Sequence, residues 1–472
     1  MAGFLLRCQS GSVECESLGS GRGLGTLVLR HGADALVVHG DRLLDENPPE
    51  HAPLDELLAW TARSHTRYCA VLVRGGRATL WSDIGATVPL HYARAADDTL
   101  LVSTSAGAML PLLGSEPVLG SAEQALLPGG RFAGVTAVPA NSAVTLVVDA
   151  YDTDAASVRR LQRLPDKPDV TDPLEAVDSV RGALRTSVAR MAAGLGEVGV
   201  MLSGGVDSST VAALAARETS GADLRTYTVG TPFGDEFEQA AWLAERLGSK
   251  HQELLFGPDQ LSELLPGMIR SLETWDLLTL QIAAPACFLL NHLAGGGRQV
   301  LLSGYGADLL FAGLGGTGGE ADIERAVVAQ TAATARSNEF SPAFADARDT
   351  VVRYPYWSRE VMGAALGIRG RLKVRGGTAK WVLRSAAASV LPEEVAWRPK
   401  RGIHEGTAMS RMFAAALGSD DQRAQVERLY AIATSVFRDG GPAARATGTE
   451  TGTVSGTNER EGSDEGLAGV AS

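Results

Sequence analysis

Residues Ser203 to Ser209 read SGGVDSS and follow the apolar run EVGVML. A buried strand that turns through two glycines into a helix leaves backbone N–H groups at the positive helix end, an arrangement that binds anions. Gly204 and Gly205 let the backbone approach a phosphate, and Ser203, Ser208 and Ser209 add hydroxyl donors. The lysine of GxxxxGK[ST] is missing and the spacing is not GxGxxG, so this is neither of those two phosphate loops. Asp207 would repel phosphates unless a divalent cation lay between them, so magnesium is implied. A second turn, LLSGYGADLLFAG (Leu301 to Gly313), carries Asp308, which with Asp207 offers two carboxylates to such an ion. An acid-capped Gly-Ser turn, with Asp308 capping its own helix, is the plainer alternative. The agreement of strand, loop and helix favours the cradle.

Two kinds of pattern must position these turns. From Phe4 to about Ala150, short apolar runs (GTLVLR, DALVVHG, RYCAVLVRGGRATLWSD, TLLVSTS, SAVTLVVDA) alternate with Gly, Asp and Pro and read as strands, with LDELLAWTARS as one helix. RLPDKPDVTDP is polar and has three prolines, as a linker should. From Leu174 onward helices (PLEAVDSVRGALRTSVARMAAGL, SSTVAALAARET, FEQAAWLAERLGS) alternate with strands (EVGVML, LRTYTVGT), which implies a parallel sheet wrapped by helices. After Gly313 the chain reads as almost wholly helical, and its Gly, Thr, Ser and charge-rich end offers almost nothing to bury. The expected domains are residues 1–162, a linker 163–173, residues 174–438, and a disordered tail 439–472.

Composition narrows the function. The chain has 472 residues, 45% hydrophobic and 21% charged, with no apolar run that could cross a bilayer. Its N-terminus, MAGFLLRCQS, lacks the basic and hydrophobic regions of a secretory signal, so a cytoplasmic protein is expected. A net charge of -12 speaks against a nucleic-acid partner held by bulk electrostatics. Four scattered cysteines (Cys8, Cys15, Cys69, Cys287) make neither a disulfide framework nor a zinc site. The expected partner is a small molecule, with no nucleic acid and no membrane; a homo-oligomer is left open.

SGGVDSS resembles the pyrophosphate loop of the ATP-pyrophosphatase superfamily, whose members adenylate a substrate and release pyrophosphate. A β-rich domain ahead of that loop is similar to the asparagine synthetase family, as is WSDIGATVPLHYARAADDTLLVSTSAGAML, which matches a stretch of its glutaminase domain. The resemblance implies an α+β N-terminal domain, an Ntn-hydrolase-like αββα sandwich, followed by a Rossmann-like α/β ATP-pyrophosphatase synthetase domain with a helical C-terminal part. That glutaminase needs an N-terminal cysteine, whereas Ala2 follows Met1 here, Cys8 and Cys15 cannot replace it, and His39-Gly40 stands where Asn-Gly is expected. The domain is therefore expected to be glutaminase-inactive, and the attacking nitrogen to be the substrate's own amine.

The β-lactam synthetase subgroup fits that inference. Tyr305 and Leu309 stand where asparagine synthetases carry Glu, and YPYWSREV and KWVLRSAAASVLPEEVAWRPKRGIHEG resemble the subgroup's C-terminal blocks. The resemblance implies ATP and Mg2+, with Val200, Leu202, Ser203, Gly204, Gly205, Asp207, Ser208, Ser209, Val229, Gly230, Gly304 and Lys380 around the nucleotide. Asp207 and Asp308 would hold the metal. Tyr305 and Glu339 would act together as the base, since a lone phenol is a poor one at neutral pH. Lys400 would stabilise the oxyanion, supported by Arg398, while Arg401 would bind a substrate carboxylate or be merely exposed. In the clavulanate branch an aspartate nine residues before the dyad glutamate receives a guanidinium; here that position is the neutral Gln330. Carboxymethylproline, closed to a carbapenam, is the expected substrate, although Glu320, Asp322 and Glu324 could compensate. The alternatives are carboxyethylarginine, an intermolecular amide ligase of the same fold, and a catalytically dead nucleotide-binding partner.

Overall fold

The computed structural model describes residues 3–9, 12–18, 24–41, 52–63, 67–113, 132–149, 156–161, 164–165, 167–219, 224–297, 299–314, 318–337, 343–399 and 402–438, the side chains of 333–337 and 403 excepted. The expected tail, Glu339, Lys400 and Arg401 lie outside them.

Two antiparallel sheets form the N-terminal part. Its elements are β1 (Phe4–Gln9), β2 (Ser12–Ser17), β3 (Gly25–His31), β4 (Asp34–Gly40), α1 (Leu54–Ala62), β5 (Tyr68–Arg74), β6 (Arg77–Ser82), β7 (His91–Arg94), β8 (Leu100–Ser103), β9 (Thr136–Ala137), β10 (Ser142–Val147) and β11 (Ser157–Arg160). One sheet runs β2-β1-β8-β7-β9 and the other β11-β10-β6-β5-β4-β3. Alternation along each strand decides what is buried where. Phe4, Leu6 and Cys8 of β1 meet Val37, Val71 and Leu80 in the core between the sheets. The other face of β4 to β6 packs Leu36, Val38, Leu72 and Trp81 on Leu57, Leu58 and Trp60 of α1. Of the two outer helical layers of an αββα sandwich, the described residues show this one α-helix and a short 3-10 helix, Gly107–Leu112.

The next part alternates as the sequence pattern demands. Helix α2 (Pro173–Ala192) opens with Pro at its first position and with Asp172 accepting from the Glu175 N–H at 2.8 Å, both favourable starts. It leads to β12 (Val198–Met201), α3 (Val206–Glu218), β13 (Leu224–Gly230), α4 (Phe237–Leu247), β14 (Lys250–Leu255), α5 (Pro258–Leu272), α6 (Leu277–Leu293), β15 (Gln299–Ser303), α7 (Ala307–Leu310), α8 (Glu320–Ser337), α9 (Ala343–Asp346) and β16 (Thr350–Arg353). All pairings in the sheet β14-β13-β12-β15-β16 are parallel. The first strand lies in the middle, and the chain turns to the other side between β12 and β15. Such a switch point is where open α/β sheets bind ligands.

One expectation needs correcting. The chain after Gly313 is not almost wholly helical, because β16 completes the sheet and a hairpin pairs Val374–Arg375 with Thr378–Ala379. TVVR is too short to show periodicity, and only its neighbour β15 makes it a strand. In the segment read as a linker, the N–H groups of Asp169 and Val170 donate to Gly367 O at 2.9 Å.

The sandwich and the sheet share buried contacts. The outer side of the first antiparallel sheet packs Leu5, Ala93 and Leu101 on Leu265, Met268 and Leu272 of α5. Glu273, buried and at φ 52°, accepts from Ser105 Oγ (2.6 Å) and from the Ala106 and Gly107 N–H groups (3.1 and 2.7 Å). No single helix among the described residues is long and apolar enough to cross a membrane.

Candidate active site at the carboxyl ends of β12 and β15

The loops that follow β12 and β15 touch each other through their backbones. A Cβ on Gly304 would stand 2.6 Å from Ser208 N and 2.8 Å from Ser208 Cα, so only glycine lets the two turns close on one point. Ser208 Oγ accepts from the Ser203 N–H (3.0 Å) and lies 2.9 Å from Ser203 Oγ, which folds the first loop over the start of α3. A cleft open to solvent lies above the two loops and is lined by both.

One cation gathers the two loops. Lys380 Nζ lies 2.5 Å from Asp207 Oδ2 and 2.6 Å from Asp308 Oδ1, and the lysine is 1% exposed. Burial alone would lower its pKa, but Asp207 and Asp308 outweigh that and hold the amine above its usual range. Gly313 makes the room, since a Cβ there would be 1.9 Å from Asp308 Oδ1 and 2.3 Å from Lys380 Cε. Asp308 sits inside the first turn of α7, whose N-cap is Gly306, so it is not the cap. Tyr356, whose phenol burial pushes far up, donates from its hydroxyl to Asp207 O at 3.2 Å. Arg398 clamps the far side of the first loop, donating to Gly204 O (3.2 Å) and to Glu236 Oε1 (3.0 Å).

Leu202, Ser203, Gly205, Asp207, Ser208, Val229, Gly304, Tyr305, Asp308 and Lys380 line this cleft, together with Arg398. Val200, Gly204, Ser209 and Gly230 do not line it. Val200 is core, Ser209 is fully buried, and the side of Gly230 where a Cβ would stand faces the Phe237 ring at 2.6 Å. Glu236, Arg384, Met201, Tyr227 and an apolar wall of Ile282, Pro285, Ala286 and Leu289 on α6 line the cleft without having been singled out in the sequence. Nothing local to an apolar core helix marks it as a site wall.

The two carboxylates that a metal would need both pair with Lys380 here. Among the described residues no group of three or more His, Cys, Asp or Glu converges, but two carboxylates on facing loops suit a hard cation that takes its remaining ligands from phosphate and water.

The N-terminal sandwich treats its titratable groups differently. His39 is 2% exposed with Nδ1 2.8 Å from Thr26 Oγ1, and burial, then the nearby Arg67, lower its pKa to about 4. The Cys8 thiol is pushed up to about 12, first by burial and then by Cys15. Neither is a nucleophile or a base at neutral pH.

The chain has relatives among known proteins. The chain is 31% identical over 360 residues to the carboxyethyl-arginine beta-lactam-synthase of Streptomyces clavuligerus, covering 74% of this chain and 66% of that one. It is 26% identical over 284 residues to asparagine synthetase B [glutamine-hydrolyzing] of Escherichia coli (strain K12), covering 56% and 48%. It thus spans about half to two thirds of the length of these relatives. A solved NMN synthetase of Francisella tularensis aligns at 13% identity over 59% of this chain and 98% of that one, with a TM-score of 0.28, too low to carry weight. The family model for asparagine synthase matches residues 179–350 and 342–439, more than half of the chain and all of the cleft's strands and loops. The chain belongs to the asparagine synthase family.

Proposed function

We propose that this chain is an ATP-dependent amide-forming synthetase that closes a β-amino acid to a β-lactam. The observation that carries this reading is the meeting of Asp207, Asp308 and Lys380 over the SGGVDSS loop at the sheet's switch point. The amides at the start of α3 and the Ser203 and Ser208 hydroxyls take the phosphates. Asp207 and Asp308 would hold magnesium, which supplies charge neutralisation for the leaving pyrophosphate. A substrate carboxylate oxygen bonds to the α-phosphorus and pyrophosphate leaves. The substrate amine then attacks the acyl carbon, its proton passes to Tyr305 partnered by Glu339, Lys400 steadies the oxyanion, and AMP leaves. A four-membered ring resists closure, so the rigid walls of the cleft matter as much as the activation.

Carboxymethylproline is the proposed substrate. Gln330 is neutral, and the neighbouring acids of α8 are already engaged: Glu320 accepts from Arg369 Nε and Nη2 (3.1 and 3.2 Å), Glu324 accepts from the Gly370 N–H (3.0 Å), and Asp322 pairs with Arg325. A substrate guanidinium would have to share these carboxylates with Arg369, Arg325 or the Gly370 N–H. The relative named for carboxyethyl-arginine supports the second reading, in which that compound is the substrate. The N-terminal sandwich, residues 1–162, is proposed as a glutaminase-type domain of Ntn ancestry without glutaminase activity, joined by residues 163–173 to a synthetase domain of 174–438. The two-sheet core and the protonated Cys8 support that assignment.

Purified protein with ATP, magnesium and each β-amino acid in turn should release pyrophosphate and a product one water lighter than carboxymethylproline. Pyrophosphate release with carboxyethylarginine alone would replace the substrate, and release with neither would remove the reading.

A further inference from the structure

The end of β16 is held from the N-terminal sandwich by two residues that themselves touch. Arg67, just before β5, is 5% exposed; it donates Nη1 to Val352 O (3.1 Å) and Nη2 to Thr87 O (2.5 Å). Its guanidinium carbon stands 4.9 Å from the centroid of the Tyr354 ring. Asp41, just after β4, donates its N–H to Arg67 O (2.9 Å), and its carboxylate accepts from Arg353 Nε (2.5 Å) and Nη2 (3.1 Å). Three consecutive residues, Val352 to Tyr354, are therefore gripped by one pair of side chains from the other part of the molecule.

The grip points at the cleft. Tyr354 meets Tyr305 edge to face, with ring centroids 6.3 Å apart at 72°. Tyr305, whose N–H donates to Ser303 Oγ at 3.2 Å, sets its ring against that of Tyr354, so a shift of Tyr354 is passed to it. Buried ions are a poor way to add stability, because desolvation offsets the attraction, whereas their geometry is strict. An array of this kind suits placement better than it suits strength.

We propose that Arg67 is a positioning residue for the cleft, acting through Tyr354 to fix Tyr305, so that the sandwich serves the amide-forming step rather than nucleotide binding. The inference rests on the role proposed for Tyr305, and its test includes a readout that needs no substrate. In the full-length chain, Arg67→Met removes the cation and its donors at similar length, while Arg67→Lys keeps a cation over the ring. With Arg67→Met, amide hydrogen exchange over residues 302–313 should accelerate by about tenfold while 202–210 stays at the wild-type rate. Turnover to amide should fall by about a hundredfold with KM for ATP within about twofold. Arg67→Lys should recover most of both effects. Tyr354→Leu should match Arg67→Met, and the double variant should be no worse than either single one. Unchanged exchange over 302–313 would overturn the proposal. So would a uniform acceleration in both segments with a parallel rise in KM for ATP, since that is loss of fold rather than loss of position. Wild-type protein that releases no pyrophosphate with any β-amino acid would count against the functional reading alone, and the exchange comparison would still decide the role of Arg67.

Discussion

The antiparallel sandwich and the parallel-sheet cleft bury titratable groups equally well and do opposite things with them. In the sandwich burial wins: Cys8 is pushed up to about 12, Cys69 is driven well above its usual value, and His39 falls to about 4, so all three are neutral at physiological pH. In the cleft burial is opposed and beaten: Lys380 is as inaccessible as His39, but two carboxylates keep it charged. Burial by itself thus does not mark a site. What keeps Lys380 charged is countercharge built in on separate elements, the loops after β12 and β15.

Lys380 is the sharpest place to break that contrast. Lys380→Met should leave Asp207 and Asp308 facing each other uncompensated, at a cost of about 3 kcal/mol, near the low end for a broken buried pair. Denaturant titration should show that loss, and pyrophosphate release should fall by more than about a thousandfold; a variant as stable and active as wild type would mean that the ion pairs are ornamental.

His39 gives the next largest effect, and only in acid. The unfolded ring protonates near pH 6.5 and the folded ring near about 4. Above 6.5 both states are neutral and the residue is silent; as pH falls from 6.5 towards 4 the unfolded state gains the proton and the native state does not. Up to about 3 kcal/mol should be lost over that window. His39→Gln should flatten this part of the pH dependence of the urea midpoint, and an unchanged slope would show that His39 is not what titrates.

Cys8 gives the smallest. Cys8→Ala should cost about 1 kcal/mol for the lost sulfur in the sandwich core and leave turnover unaltered. A large loss of turnover at unchanged stability would mean that the sandwich has chemistry of its own.

What the sequence made readable follows from range. SGGVDSS and GYGAD were legible because glycine, hydroxyl and acid sit within one turn of each other and one strand before them predicts the whole arrangement. Lys380 was read from resemblance alone; its place between two carboxylates depends on a left-handed backbone turn at φ 58°, 173 residues from Asp207, that no local pattern announces. Glu236 and Tyr356 serve the first loop from other elements and were missed for the same reason. β16 was missed because four residues become a strand only when β15 is beside them. Among the described residues, α1 covers one outer face of the expected αββα sandwich and α5, from the next part of the chain, packs on the other.

The central claim is that the cleft activates a carboxylate by adenylation, and isotope transfer tests it most directly. Carboxymethylproline carrying 18O in its reacting carboxylate should, with ATP and magnesium, place one labelled oxygen in the AMP formed. Label in pyrophosphate or phosphate, or product formed with unlabelled AMP, would contradict the account.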